Sequence, residues 1–265
     1  IIGKILTGDV TFNITIDPIY DGEYNNGEAQ PVNINGVYYA TIQDAVNNVK
    51  DGEVIKVATG TYTEVVKVTG GKNFTLEAAG PNVVIAALDH QSNETSTVKV
   101  KGITFDNSLT SAGWFIGTAP NIAPCVGAWG GNLTFEDCAF IVAGTSGMET
   151  GVMTWYTVEN SVASLSFNNC TFEGKDGHAS ARAMQIYGHV NMQVANCTFN
   201  TKKDYTLKYV ANEGNIATFS NNIVNNSENF VELGSSVYPG SNYTANIINN
   251  TLGNGVNTHI IANNE

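Results

Sequence analysis

Arg182, the chain's one arginine, lies close in sequence to His178, Tyr187 and His189. A guanidinium offers a planar fork to a carboxylate, and imidazoles change charge near neutrality, so this set can line a polar groove for an acidic sugar. A solvated loop is the plainer reading. A second set is Gln185, Lys208 and Glu232, with Tyr156 and Tyr187 beside them. Amide, ammonium, carboxylate and phenol groups together can meet the hydroxyls and charges of a ligand. The plainer reading here is a Lys208–Glu232 surface ion pair worth at most ~1 kcal/mol. Tyr156, Arg182, Gln185, Tyr187, His189, Lys208 and Glu232 form the candidate ligand-binding set. No catalytic residue, metal ligand or cofactor is assigned.

The elements that position these residues are read from a repeat. VKGITF (100–105), FEDCAF (135–140), FNNCTF (167–172), VANCTF (194–199), FSNNIV (219–224) and INNTL (248–252) superpose without internal gaps, at spacings of 25 to 35 residues. Repeats of this period mark a solenoid or array. Stacking the units in parallel, ~4.8 Å apart, turns every aligned position into a ladder. Phe105, Phe140, Phe172, Phe199, Val224 and Leu252 then form an inward column. Ile103, Cys138, Cys170, Cys197, Asn222 and Asn250 share its face, because side chains two apart on a strand point the same way. Thr104, Ala139, Thr171, Thr198, Ile223 and Thr251 point outward. Asp137, Asn169, Asn196, Asn221 and Asn249 are expected to form an asparagine ladder at a bend, each amide bonding to the next.

The four Cys include no CxxC pair, and Cys138, Cys170 and Cys197 are expected as free buried thiols. Cys125 is left open.

A second strand recurs as GAWG (127–130), MTWY (153–156), MQIY (184–187), LKYV (207–210) and VELG (231–234). Aligned in this way, Met153, Met184, Leu207 and Val231 point inward, and Trp129, Trp155, Ile186, Tyr209 and Leu233 share that face. Thr154, Gln185, Lys208 and Glu232 point outward.

Near the start, Val10–Ile16 alternates apolar and polar residues as a half-buried strand does. It is followed by a polar stretch to about residue 35. Thr41 with Asp44 three residues on, and the apolar positions Ile42, Ala45, Val46 and Val49, predict a helix over about 41–50. The division is residues 1–36, a strand and linker expected to pair with a neighbouring domain or subunit, and residues 37–265, the solenoid.

Together these features resemble the pectin-lyase-like superfamily of right-handed parallel β-helices, over roughly Gly36 to Glu265. The resemblance implies an all-β solenoid whose first rung is capped by the short helix. NGVYYATIQDAVNNVKDGEVIKVATGTYTE (35–64) is similar to the entry rungs of secreted and cell-surface bacterial β-helix proteins. Gly60-Thr61-Tyr62-Thr63-Glu64 matches the GxYxE pattern that opens pectin methylesterases, but their later QDTL and DFIFG motifs are missing, and Glu64 reads as a surface residue. The stacked carboxylates of pectate lyases are matched only by Asp106 and Glu173, with Ile141 between them. Gly174–His178 resembles the Gly-His-Gly segment of polygalacturonases superficially.

Composition narrows the function further. A net charge of −12 repels a phosphate backbone, so nucleic acid is not an expected partner. No apolar run approaches the ~18 residues of a membrane span. The nine Asn-x-Ser/Thr sequons of an Asn- and Thr-rich chain carry little information. The chain starts at Ile1 and is expected to be processed or excised from a longer one. The expectation is a non-catalytic extracellular or cell-surface module: an adhesin, a stalk, or a filament or sheath subunit. Its expected partners are copies of itself or a surface glycan. The alternative is a polysaccharide-binding or polysaccharide-degrading protein, such as a lyase, hydrolase or phage-tail-like depolymerase, with its site on the outer face.

Overall fold

The computed structural model describes residues 23–25, 28–91, 95–110, 124–143, 150–154, 163–175, 181–201, 205–234, 242–256 and 258–263. The expected strand at Val10–Ile16 lies outside them. Among the described residues the chain is mostly strand, with one α-helix at Ile42–Asn48. No helix among them is long and apolar enough to cross a membrane.

The strands stack in parallel as a β-helix-like solenoid with three faces. The first face is a ten-stranded sheet running from Val37–Tyr39 and Val32–Ile34 through Asn132–Glu136 to Thr244–Ile248. Only Val32–Ile34 pairs antiparallel there, with Val37–Tyr39 on one side and Glu53–Val57 on the other. The other two faces belong to one fourteen-stranded sheet. Its long strands Gly60–Val68 and Val83–His90 each span both faces. In later rungs this span is split between a short strand such as Thr171–Gly174 on the second face and one such as Arg182–Gly188 on the third.

The corner between the first and second faces carries the repeat. Gly102, Asp137, Asn169, Asn196, Asn221 and Asn249 all have φ between 53 and 65°. This left-handed conformation costs most residues roughly 1–2 kcal/mol, and Gly, Asn and Asp tolerate it best. Each of the first five donates its backbone N–H to the rung above, as Asn169 does to the Ala195 carbonyl at 3.2 Å. The expected side-chain ladder is only partial. Asn169 Nδ2 donates to Asp137 Oδ1 at 2.6 Å, but Asn196 Nδ2 reaches Asn168 instead. A single amide pair forms one position further on, where the buried Asn222 donates its Nδ2 to Asn250 Oδ1 at 2.9 Å and to the Val194 carbonyl.

Turning these six rungs at the same residue fixes the columns. Phe105, Phe140, Phe172, Phe199, Val224 and Leu252 pair in the predicted order. The rings of Phe140 and Phe172 stack at 4.4 Å, and those of Phe172 and Phe199 at 5.0 Å. Phe135 and Phe167, from the first face, stack on each other and meet this column edge-on. Such ring pairs contribute ~0.5–1.5 kcal/mol beyond burial. Cys138, Cys170 and Cys197 are free and buried, each donating its thiol to a backbone carbonyl. Contact with the Cys170 sulfur, together with burial, pushes the Cys138 and Cys197 thiols up. Cys125 is buried as well, and burial pushes it up to about 12.

Thr41 caps the helix as expected, accepting from Asp44 N–H. Glu64 is not a bare surface residue. Its two carboxylate oxygens accept the N–H groups of Ile42 and Gln43, both at 3.0 Å, satisfying donors that a helix start leaves open. Tyr62 of the same GxYxE string donates its hydroxyl to the Ala58 carbonyl. In this chain the motif holds the helix to the long strand beside it.

Phe172→Ala, at the centre of the ring stack, is expected to lower stability by about 3–5 kcal/mol in urea unfolding. Thr171→Ala, one residue away and outward, is expected to change it by under ~1 kcal/mol.

Candidate functional site

The third face places Gln185, Lys208 and Glu232 side by side in one outward column, as the sequence implied. Its first two rungs differ from the sequence expectation by one residue. Val152, not Met153, pairs with Met184, and Met153 pairs with Gln185. A slip of one residue exchanges the two faces of a strand. Met153 therefore belongs to the outward column and Thr154 turns inward, donating its hydroxyl to the Tyr187 carbonyl. Trp129, expected in the core, reaches the Asp89 carboxylate with its indole on the outer side. Ile186, Tyr209 and Leu233 do share the inward face. Trp155 lies outside the described residues.

The column runs through Lys67, Asp89, Gly127, Met153, Gln185, Lys208 and Glu232. Although it points outward it is largely covered, with Asp89 1%, Met153 0%, Gln185 5% and Glu232 9% exposed. Some of its polar groups are bonded, while Asp89 Oδ1 and Gln185 Oε1 are buried without a hydrogen bond. Lys208 Nζ lies 2.7 Å from Glu232 Oε1, and Gln185 Nε2 donates to the Tyr187 hydroxyl at 3.0 Å. The ammonium also lies 5.6 Å from the Tyr205 ring centre and 6.0 Å from that of Tyr187, within cation–π range. Burial alone would lower the Lys208 pKa; the bond to Glu232 and the nearby Tyr187 outweigh it and hold it above the ordinary value.

Arg182 joins this cluster through Tyr205, its guanidinium 4.9 Å from the ring centre. His189 does not. It lies past the far end of the strand Arg182–Gly188, which alone spans ~20 Å, and its ring meets the side chain of Asn212 instead. The two ends of this strand therefore do not form one groove. Tyr156 and His178 lie outside the described residues. On the second face Asp106, Ile141 and Glu173 occupy one column as read from the sequence. Asp106 is held by Lys175 at 2.8 Å and by Ser108. Among the described residues no group of three His, Cys, Asp or Glu side chains is placed to hold a metal ion.

Asp89 and His90 were missed in the sequence. Two ionisable residues closing the apolar run Val83–Leu88 were the available signal. Burial pushes the Asp89 carboxyl up to about 6, opposed by Lys67, Gln91 and Trp129. Burial also pushes the inward-facing His90 down to about 4. The Ser96 hydroxyl donates to the Lys72 carbonyl, so His90 Nε2, 3.1 Å from that hydroxyl, carries the imidazole proton. Gly131 lets the ring in: at φ +72°, a Cβ there would stand 2.9 Å from both His90 Cε1 and the Ser96 carbonyl oxygen.

These two shifts have opposite linkage. Asp89 binds a proton more readily when folded, so its contribution is full below its ordinary 3.8 and lost as pH rises through about 6. His90 binds one less readily when folded, so its contribution is full above 6.5 and lost as pH falls through about 4. Asp89→Asn is expected to leave a stability that rises from pH 4 to 6.5, and His90→Gln one that falls from pH 4 to 6, in urea unfolding. Equal slopes in the two variants would contradict the assignment.

Comparison of the chain with protein-family models, with curated proteins and with solved structures finds no match.

Proposed function

We propose that this protein is a non-catalytic extracellular or cell-surface module, structural or adhesive, built as a right-handed parallel β-helix of the pectin-lyase-like kind, with the helix Ile42–Asn48 closing its first rung. The observation that carries the reading is the internal pairing of the third face. Lys208 bonds to Glu232 and Gln185 to Tyr187, while Asp89 accepts from Gln91 at 2.7 Å. A general acid or base must reach a proton on its substrate. Here Glu232 is covered and ties its rung to the next through Lys208, and Asp89, although its Oδ1 is left without a hydrogen bond, is only 1% exposed and so closed to a substrate.

The stacked columns support a mechanical role. The middle rungs contact one another through two stacks of buried rings and a row of turns, which support the solenoid as a source of rigid length. Copies of the chain or a surface glycan are the partners such a module would meet. Polysaccharide cleavage on the third face is the competing reading. Incubation with a panel of acidic and neutral polysaccharides, with products followed by chromatography, is expected to give no turnover. Turnover that disappears in Glu232→Gln or Arg182→Lys would overturn the proposal.

A further inference from the structure

The first face changes character along the stack. Its early rungs carry outward charges: Lys99 lies 2.5 Å and Lys101 3.6 Å from the Glu136 carboxylate. Beyond Glu136 the charges stop. The next four rungs present Ser164, Ser166, Asn168, Asn191, Gln193, Ala195, Ile216, Thr218, Ser220, Thr244, Asn246 and Ile248 outward. These twelve positions are without charge in a chain whose net charge is −12.

In three of these rungs the surface is hollow. Ser164, Ser166, Asn191, Gln193, Ile216 and Thr218 line an open depression of about 460 Å³, within the size range of small-molecule sites. Some of its polar groups are occupied. Asn191 Oδ1 accepts the Ile216 N–H at 2.9 Å, and Ser164 donates to Asn132. Others are available: among the described residues, the side chains of Gln193 and Ser166 make no hydrogen bond within the protein. Ile216, 52% exposed, supplies an apolar patch at the edge.

We propose that this hollow binds a neutral polysaccharide, with the sugar chain running along the stack across successive rungs. Amides and hydroxyls each donate and accept, as sugar hydroxyls do. Ile216 offers an apolar surface to the C–H face of a ring. Rungs ~4.8 Å apart repeat these groups at a spacing close to one unit of an extended sugar chain. The four rungs around the hollow place no cation on their outward positions, so a carboxylated sugar finds nothing there to pair with, and this selects an uncharged ligand. The site lies on a different face from the Lys208–Glu232 column and stands whether or not that column is catalytic.

The test is calorimetric titration of the full chain with cellohexaose, xylohexaose, maltohexaose and laminarihexaose, and with hexagalacturonate as the acidic counterpart. At least one neutral hexasaccharide is expected to bind. Q193A/S166A is expected to weaken it at least fivefold, and Ser166→Glu to abolish it. Both positions are outward, and circular dichroism of the variants should match the parent. Lys56→Gln, on the same face but in its first rungs, is expected to leave binding unchanged. Failure of all four neutral sugars to bind would overturn the proposal. So would tighter binding of hexagalacturonate, or a neutral sugar held equally by Q193A/S166A. Binding lost in Lys208→Met but kept in Q193A/S166A would place the ligand on the third face, which also overturns it.

Discussion

From Thr97–Lys101 onward each rung leaves the first face through one residue held in the left-handed region, and the rest of the architecture depends on that turn. Six such residues, from Gly102 to Asn249, repeat it with φ varying by only 12°. Because the chain bends at the same place each time, the strands on either side begin in register. The backbone N–H of the bend then finds the neighbouring rung's carbonyl without a side chain's help. This accounts for an aspartate or a glycine serving in place of asparagine: the conformation is what the position requires, and the amide ladder is secondary.

Register sets which side chains are inside. On the second face it stacks four phenylalanine rings and places three thiols and Asn222 in one buried column that ends on the half-buried Asn250. Asn222 and Asn250 are acceptable there because their amides bond to each other and to the Val194 and Phe219 carbonyls. On the third face the same register brings Asp89, Gln185, Lys208 and Glu232 into an outward column that is nonetheless covered. Lys208 and Glu232, with side chains 22% and 12% exposed, form a tie between rungs more than a surface pair.

What could be read in the sequence follows from how strongly each element is patterned. The second face was legible because the Cys–x–Phe string recurs without gaps beside an asparagine that marks the turn. The third face was legible only from Met184 onward. In Val126–Ala128 and Thr150–Met153 small residues blur the alternation, and the alignment slipped by one position, sending Trp129 and Met153 to the wrong side. Glu64 was misplaced for another reason: its partners, Ile42 and Gln43, are more than twenty residues away, beyond any local pattern. The hollow on the first face is built from Ser, Asn, Gln and Thr, which in sequence look like any solvated strand; only stacking the rungs shows where the charges stop.

The central claim, that successive rungs advance by one strand spacing in the stated register, is tested most directly by spin-label distances along the first face. Lys56, Lys101 and Ser220 occupy one outward column, with Ser220 six rungs beyond Lys56 and four beyond Lys101. Double electron–electron resonance on cysteine-labelled pairs should give separations near ~29 Å for 56–220 and ~19 Å for 101–220, broadened by the label arms, a difference of two strand spacings. Equal distances for the two pairs, or a difference far from ~10 Å, would contradict the stack.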